Sequence, residues 1–246
     1  MENVAVLIPC YNEELTIGQV IDDFKKNLPS ATIYVYDNNS TDETASIAKA
    51  KGVIVRESPI QGKGAVVRQM FKEIDADIYL MVDGDATYPA RYAPDMIQGV
   101  ASGEYDMVLG DRLTGNYFDN NSRPFHGLGN KLVRHLVNKK FNGDLVDIMT
   151  GYRAFNNNIA KGFVPTYDGF EVETELSIFA LTHDMKVGSS LIVYEDRPDG
   201  SKSKLHTISD GWKVLKCIRK ADKEYKAWRK QQRIATKERG TEDADE

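Results

Sequence analysis

Two carboxylates follow an apolar run in the stretch YLMVDGDATYP, Tyr79 to Pro89. Asp83 and Asp85 are separated only by Gly84. Because neighbouring carboxylates repel each other, such a pair at a strand tip favours a bound cation. Mg²⁺ typically takes one or two carboxylates together with substrate phosphates. The pair therefore predicts a metal held against a diphosphate, and the alternative is a solvated turn. Gly84, which has no side chain, would let a ligand approach the backbone closely.

Two further stretches carry residue types suited to ligands. Asp37 ends the run TIYVYD, where it could hydrogen-bond ribose hydroxyls or a base, or form a turn in DNNSTD. Lys63 lies between glycines in QGKGA at a predicted helix start, which favours either an anion site or a plain turn. The histidines show neither metal-ligand nor triad spacing, and we interpret them as structural: His126, His135, His183 and His206.

The second half of the chain has several cationic loops. Such loops suit phosphate oxygens, although each cation alone is more often part of a surface salt bridge. The stretch DIMTGYR also contains a carboxylate, Asp147, which could act as a base or orient Arg153 and an acceptor. The cations of these loops are Arg112, Arg123, Arg153, Arg197, Lys202 and Lys204.

Alternating elements must position these residues. Apolar runs predict strands at 4–8, 32–37, 53–57 and 77–83, and helical spacing predicts helices at 15–28, 40–52 and 62–74. Ser40 and Glu43 fit a capping box for the second helix, and Gly52 fits its end. This alternation predicts a parallel sheet with helices on both faces, which binds ligands beyond the carboxyl ends of its strands.

The second half is less regular. We predict strands at 106–112 and 189–198 and helices at 124–141, 170–184 and 206–232. The terminal helix has an apolar stripe, and residues 213–239 hold 11 Lys/Arg against 3 Asp/Glu, which favours either a solvated face or contact with an anionic surface. We divide the chain into an α/β domain at 1–211, a basic amphipathic helix at 212–239 and a disordered acidic tail at 240–246.

Composition excludes several classes of protein. The chain has 246 residues, 41% of them hydrophobic, and a net charge of −5. No apolar run approaches the roughly 18 residues of a membrane helix, and the start does not resemble a signal peptide. The two cysteines, Cys10 and Cys217, favour reduced thiols in a cytoplasmic protein. We expect no zinc site and no nucleic-acid partner.

Seven motifs, in order, make the chain resemble the dolichol-phosphate mannosyltransferase group of family 2 glycosyltransferases, and related undecaprenyl-phosphate enzymes. They are VLIPCYNEE, DNNSTDET, VDGDATYP, VLGDR, DIMTGYRAF, GFEVETEL and RPDGSKSKL. The resemblance implies an α/β GT-A fold with a mostly parallel central sheet, helices on both faces and a Rossmann-like nucleotide-binding half. It also implies Mg²⁺ or Mn²⁺, a nucleotide-sugar donor and a polyprenyl-phosphate acceptor of the cell envelope.

The resemblance also implies roles for individual residues. Asp83, Gly84 and Asp85 would hold metal and diphosphate, and Asp147 would face the reacting centre with Arg123 and Arg153. Arg112, Arg197 and Lys204 would meet phosphates, and Lys63 is added to this group only from its place between glycines at a predicted helix start. The nucleoside would be held by Pro9, Tyr11, Glu13, Val35 and Asp37.

The chain departs from the family pattern at two positions. Thr87 replaces a glutamine of the dolichol enzymes, and GSKSK is one residue longer than the common motif, so that Lys202 and Lys204 compete for one role.

Three alternatives stay open: a same-fold transferase with a hydroxyl acceptor, a nucleotidyltransferase and a non-catalytic binding protein. We expect a cytoplasmic protein that reaches the membrane surface peripherally, through its terminal helix, or through a membrane partner protein.

Overall fold

The computed structural model describes residues 2–114, 124–201, 204 and 207–242. Its first part alternates strands and helices as predicted, because apolar runs form buried strands and apolar residues at helical spacing form helices between them. The elements are β1 (Val4–Cys10), α1 (Ile17–Asn27), β2 (Thr32–Asp37), α2 (Thr44–Ala50), β3 (Ile54–Glu57), α3 (Lys63–Glu73) and β4 (Ile78–Met81).

The second part contains three elements that the sequence did not reveal, namely α4, β6 and α6. The last strand also lies earlier than the predicted 189–198. In order, the elements are α4 (Ala93–Ala101), β5 (Met107–Asp111), α5 (Pro124–Phe141), β6 (Arg153–Asn156), α6 (Asn157–Gly162), α7 (Glu171–Thr182), β7 (Val187–Leu191) and α8 (Thr207–Glu242).

The described strands form one sheet in the order β3-β2-β1-β4-β6-β5-β7. β1, β2, β3 and β4 are parallel to one another, and β5 is parallel to β7. β6 runs antiparallel to both β4 and β5. The prediction of a mostly parallel sheet is confirmed, and β6 is the exception that joins its two halves.

Helices cover both faces of the sheet, as predicted. On one face the core includes Ile17 and Phe24 of α1 and Met96 of α4. On the other face it includes Met70 of α3 and Leu176 of α7, together with residues of α5, α6 and α8. Each face buries a continuous apolar layer, which is the main stabilising contribution in such a fold.

The long helix α8 is part of this core. Val214, Cys217 and Ile218, which belong to its apolar stripe, are almost fully buried against the domain. The sequence leaves two interpretations of this stripe open, a membrane anchor and packing on the domain, and for these turns the second applies, because their side chains pack on α5 and α7. Within the described ranges, no helix combines the length and low polarity needed to cross a bilayer.

The predicted capping box of the second helix is also wrong. The helix begins at Thr44, whose N–H donates to Asp42 Oδ1 at 3.0 Å, and neither Ser40 nor Glu43 caps it. The Ser40 hydroxyl instead accepts a hydrogen bond from the Asn12 backbone N–H at 2.9 Å. The polar residues after β2 therefore tie two loops together at the sheet edge, where ligands bind in such folds.

Candidate active site

The loops after β1, β2 and β4 meet at the carboxyl edge of the sheet. The Asn38 N–H donates to the Cys10 carbonyl at 2.8 Å, and the Thr16 hydroxyl donates to the Gly84 carbonyl at 2.7 Å. These bonds hold the three loops around a cleft of about 450 Å³. The predicted residues that line it are Pro9, Tyr11, Glu13, Lys63, Asp83, Gly84, Asp85, Arg197 and Lys204.

The structure shows why position 84 holds a glycine, and the reason differs from the predicted close approach of a ligand. A Cβ atom at this position would lie 2.8 Å from the Cys10 sulfur, which is closer than real Cβ contacts. The residue therefore lets the loop after β4 approach the loop after β1. Nearby, Gly151 leaves room for Asp83, because a Cβ there would lie 2.3 Å from Asp83 Oδ2.

Lys63 is held between two carboxylates. Its ammonium group contacts Asp83 Oδ1 and lies 2.6 Å from Glu173 Oε1. Burial lowers the pKa of Lys63, but Asp83 and Glu173 outweigh burial and raise it, so the side chain stays charged. Lys63 therefore presents a fixed positive charge at the start of α3, within the cleft.

Asp85 is the more deeply buried of the paired carboxylates. One of its oxygens contacts the Arg197 guanidinium, and the other accepts a hydrogen bond from the Thr87 hydroxyl at 2.6 Å. Burial and the nearby charge of Asp83 raise the pKa of Asp85, whereas Arg197 and Thr87 oppose the rise. Thr87, the departure from the family pattern, thus orients Asp85.

Lys204 lines the cleft beside the loop after β1. Its ammonium group lies 2.6 Å from Glu13 Oε1 and donates to the Asn12 carbonyl at 2.8 Å. Burial raises the pKa of Glu13, and Lys204 opposes this. Glu13 Oε2 and Asp37 Oδ1 are buried acceptors without a hydrogen-bond partner in the described part of the chain. Such acceptors can take hydroxyl or amino donors from a ligand.

Val35 does not lie where its predicted contact with the nucleoside requires. Its side chain is fully buried in the core beneath β2, packed with apolar residues of α1 and β1. It therefore cannot contact a nucleoside through its side chain. Because side chains alternate along a strand, Asp37 lies on the same face of β2 but beyond the end of the apolar core, at the sheet edge.

Arg112 and Asp147 form a buried ion pair. Arg112 Nε lies 2.7 Å from Asp147 Oδ2, and Nη2 donates to Asp147 Oδ1 at 2.9 Å. Arg112 also donates to the Tyr88 hydroxyl, which in turn accepts the Gly151 N–H at 2.9 Å. Burial lowers the pKa of Arg112, and Asp147 more than reverses this. Asp147 pairs with Arg112 and not with Arg153, which differs from one of the two roles considered for it, that of orienting Arg153.

Arg153 also does not lie where its predicted role at the reacting centre requires. Its side chain has no exposed surface, and it donates to the Thr150 carbonyl at 2.9 Å and to the Ser177 hydroxyl at 3.0 Å. Burial lowers its pKa to about 10. The guanidinium therefore joins β6 to α7 inside the domain and does not reach the cleft. Arg123 and Lys202 lie outside the described residues.

Sequence reasoning missed Glu173, which lies in the motif GFEVETEL but was assigned no role. The side chain is buried in the first turns of α7 and faces Lys63 across the cleft wall. Burial raises the pKa of Glu173, and Lys63 opposes the rise. The motif holds three glutamates, Glu171, Glu173 and Glu175, and the sequence alone does not mark Glu173 as the one that faces Lys63.

The paired carboxylates fit a divalent cation. Two protein cations, Lys63 and Arg197, already contact Asp83 and Asp85, which shows that the site stabilises positive charge. Among the described residues, no group of three or more His, Cys, Asp or Glu could hold a metal. Such a site suits an ion that takes one or two carboxylates and completes its shell with phosphate oxygens and water.

Comparisons with known proteins identify the class of this protein. The chain matches Glycosyl transferase family 2 over residues 5–163. It is 35% identical over 214 residues to the glycosyltransferase AglJ of Haloferax volcanii, across 85% of this chain and 68% of AglJ. The chain therefore belongs to glycosyl transferase family 2, as the motifs predicted. A dolichyl-phosphate hexose transferase of the same organism is 28% identical over 218 residues, across 88% of this chain and 92% of that protein.

The fold is that of solved family members. Glucosyl-3-phosphoglycerate synthase from Mycobacterium tuberculosis, in complex with Mn²⁺, uridine-diphosphate and phosphoglyceric acid, matches with a TM-score of 0.74. The match covers 90% of this chain and 78% of that chain at 20% identity. The predicted α/β GT-A architecture is confirmed.

Proposed function

We propose that this protein is an inverting, metal-dependent hexosyltransferase. It moves a hexose from a GDP- or UDP-sugar to a polyprenyl phosphate, such as dolichyl or undecaprenyl phosphate. The observation that carries the proposal is that Lys63, Arg197 and Lys204 line the same cleft as Asp83 and Asp85. A cleft with this mixture of charges suits phosphates together with a cation.

The ion pairs of the cleft support binding of both the donor diphosphate and the acceptor phosphate. Lys63, Arg197 and Lys204 pair with Asp83, Asp85 and Glu13, whose side chains line the same space. Phosphate oxygens of a donor can replace these carboxylates as partners of the cations, while a divalent ion binds the freed carboxylates. The same cations reduce the repulsion between a donor diphosphate and an incoming acceptor phosphate.

The state of Asp147 favours a phosphate acceptor. A hydroxyl acceptor needs a general base, whereas a phosphate monoester is largely ionised at neutral pH, with a second pKa of about 6. Both oxygens of Asp147 bind Arg112, and the carboxylate has no exposed surface. Asp147 is therefore engaged by Arg112 and is poorly suited to accept a proton from an acceptor.

A hydroxyl of a glycan or lipid is the second candidate acceptor. It is favoured by the structural likeness to glucosyl-3-phosphoglycerate synthase, whose complex contains phosphoglyceric acid. In that case Glu173, whose pKa burial raises, would be a candidate base, but it is bound to Lys63. A shift of Glu173 away from Lys63 would then be required before it could act as a base.

The chemistry is a single displacement. An oxygen of the acceptor phosphate attacks the anomeric carbon of the sugar, and the bond between that carbon and the diphosphate oxygen breaks. The bonding electrons leave with the nucleoside diphosphate, and the anomeric configuration inverts. Arg197 and Lys63 stabilise the charge that develops on the leaving group. Asp83 and Asp85 would hold Mg²⁺ or Mn²⁺, which supplies further charge stabilisation when bound.

The acceptor lipid brings the reaction to a membrane. We place the enzyme in the cytoplasm, at the cytoplasmic face of the membrane, held there by its basic helix or by a membrane partner protein. The exposed face of α8 carries Lys216, Arg219 and Lys223. Each such cation near an anionic surface contributes about 1 kcal/mol at low salt.

Vesicle binding tests this placement. The full chain should sediment with phosphatidylglycerol vesicles at low salt, and replacing Lys216, Arg219 and Lys223 with glutamine should weaken binding. The control replaces exposed lysines of α1 and α3, namely Lys25, Lys26 and Lys72, and so changes net charge equally. Equal loss in both variants would contradict a specific role for α8. Removal of α8 is unsuitable, because Val214 and Ile218 belong to the core.

The proposed activity is tested with a panel of labelled nucleotide sugars. Each is incubated with the protein, Mn²⁺ or Mg²⁺, and a polyprenyl phosphate, and the label in an organic extract is counted. We expect extraction of label from one donor, dependent on both acceptor and metal. Transfer that appears only on a hydroxyl acceptor would overturn the main proposal in favour of the second candidate.

A further inference from the structure

A second, larger groove lies beside the cleft, between the segment that follows α6, helix α7 and the far turns of α8. Its volume is about 780 Å³. Its walls are mainly aromatic and aliphatic, with Phe163 and Phe179 from one part of the chain and Tyr225 and Trp228 from α8, and the charged residues Glu175, Lys220 and Glu224 also line it. The Phe163 and Phe179 rings pack at 5.4 Å, and the Tyr225 and Trp228 rings stack at 5.9 Å between centroids.

Parts of this groove remain open to solvent although they are apolar. Val164 is 70% exposed, and Trp228 is 49% exposed. Ala221, a small side chain one turn before Tyr225 on α8, forms part of the groove wall. Apolar surface of this kind, concentrated in one groove, is typical of a site that a partner or ligand covers.

The groove continues directly from the cleft along two elements. On α8, Lys213 lines the cleft, and Cys217 and Lys220, one and two turns further on, line the groove. In the loop before α7, Asp168 lines the cleft, and Tyr167 lines the groove. The Lys220 ammonium group lies 5.6 Å from the centre of the Tyr167 ring, at this junction.

We infer that the groove binds the isoprenoid chain of the acceptor, while the phosphate at its end lies in the cleft. This inference rests on the proposed function, because it requires an acceptor with a charged head and an apolar tail. The order of surfaces matches that molecule: cations in the cleft, lysines at the junction and an apolar groove beyond. The exposed basic residues of α8 lie beside the groove, where the chain would leave the membrane.

Chain length provides the first test. Initial rates are measured with a water-soluble acceptor of two isoprene units and with a long-chain polyprenyl phosphate, both in the same detergent. Buried CH₂ groups contribute favourably to binding, so KM should be at least about tenfold lower for the long acceptor. If neither acceptor is used, the proposed function fails, and this inference fails with it. If both are used with equal KM, only the inference about the groove is overturned.

A matched pair of variants separates the groove from detergent effects. Ala221→Trp fills the groove, whereas Ala227→Trp makes the same change at an exposed position of α8 outside it. We expect Ala221→Trp to raise KM for the long acceptor about tenfold and to leave KM for the short acceptor unchanged. Ala227→Trp should leave both values unchanged. Equal values for the two variants would overturn the inference.

Two further measurements keep the test decisive. Val164→Glu places a charge in the groove at an exposed position, and it should also raise KM for the long acceptor only, even if Ala221→Trp fails to fold. Sedimentation velocity of the wild-type protein and Ala221→Trp tests whether a second copy occupies the groove. A wild-type dimer that Ala221→Trp dissociates would overturn the lipid assignment.

Discussion

Arg197 and Arg153 both lie in motifs that suggested a role at the site, but their surroundings differ. The Arg197 side chain is 26% exposed and contacts Asp85 in the cleft. Arg153 has no exposed surface and donates to oxygens of Thr150 and Ser177 in the interior. A guanidinium enclosed by protein oxygens has no path to a ligand, whereas one on a cleft wall can exchange a carboxylate for a phosphate.

The same contrast applies to the other cations. Lys63 and Lys204 pair with carboxylates on the cleft wall, whereas Arg112 is held by Asp147 within the domain. The cleft cations should therefore affect transfer more than stability, and the interior arginines should do the opposite. The following substitutions test this division, from the largest expected effect to the smallest.

Asp85→Ala should cause the largest loss of activity. It removes the buried carboxylate that contacts Arg197 and that we assign to the metal. Transfer should fall on the order of 10³-fold, since electrostatic groups at a leaving group contribute this much in dry sites. The rate of sugar transfer and the far-ultraviolet circular dichroism of the variant are the measurements. Full activity, or full wild-type activity in excess chelator, would contradict the metal assignment.

Arg153→Ala should reduce stability by about 3 kcal/mol, because it leaves a cavity and removes donors from buried oxygens. Urea unfolding measures the change. The folded fraction should still bind a nucleoside diphosphate with wild-type affinity. A variant that is as stable as the wild type but has lost donor binding would place Arg153 in the site after all.

Arg197→Ala should cost about 2–3 kcal/mol in transition-state stabilisation, seen as a fall in kcat/KM. Its effect on unfolding should stay below about 1 kcal/mol, because the ion pair lies on a partly open wall. Arg91→Ala is the control, since Arg91 forms an exposed pair with Glu195 at 3.1 Å. If both variants keep wild-type kcat/KM, Arg197 is not part of the machinery.

Asp222→Asn should have the smallest effect, about 0.5–1 kcal/mol of stability. Asp222 on α8 pairs with Lys140 of α5 at 2.6 Å and with Lys226 at 3.0 Å. Burial raises the pKa of Asp222, but its bonds to Lys140 and Lys226 outweigh burial and lower the pKa overall.

The pH dependence follows from that lowered pKa. The contribution of Asp222 is fully present above the unfolded pKa, about 3.9, and is lost as pH falls through the lower folded pKa. The difference in unfolding free energy between wild type and Asp222→Asn should therefore shrink below about pH 4. A difference that stays constant across this range would show that the ion pairs contribute nothing.

The parallel part of the fold could be predicted because its strands are apolar throughout and its helices have regular apolar spacing. β6 was missed because it has four residues, RAFN, and begins with a charge. It forms a strand through its pairing with β4 and β5, which the sequence does not show. α4 was missed although its apolar residues form a face, because it begins only after the long connection 82–92 that carries the paired carboxylates.

The site was predicted as a set of residue types, but not as a set of partners. Asp83 and Asp85 could be found because they follow an apolar strand. The contact between Lys63 and Glu173 joins residues 110 positions apart, and nothing in either local motif indicates the other. For the same reason, Arg153 could not be distinguished from Arg197: both are arginines in polar motifs, and only tertiary packing decides which is enclosed.

The central claim is that the cleft at Asp83 and Asp85 binds the nucleoside diphosphate of the donor together with a divalent cation. Isothermal titration of UDP and of GDP tests it, using the wild type with Mn²⁺, the wild type with EDTA, and Asp85→Asn with Mn²⁺. We predict saturable binding of one nucleotide to the wild type with Mn²⁺, weakened at least about tenfold by EDTA or by Asp85→Asn. Equal affinity under all three conditions, or no binding of either nucleotide to the wild type, would contradict the claim.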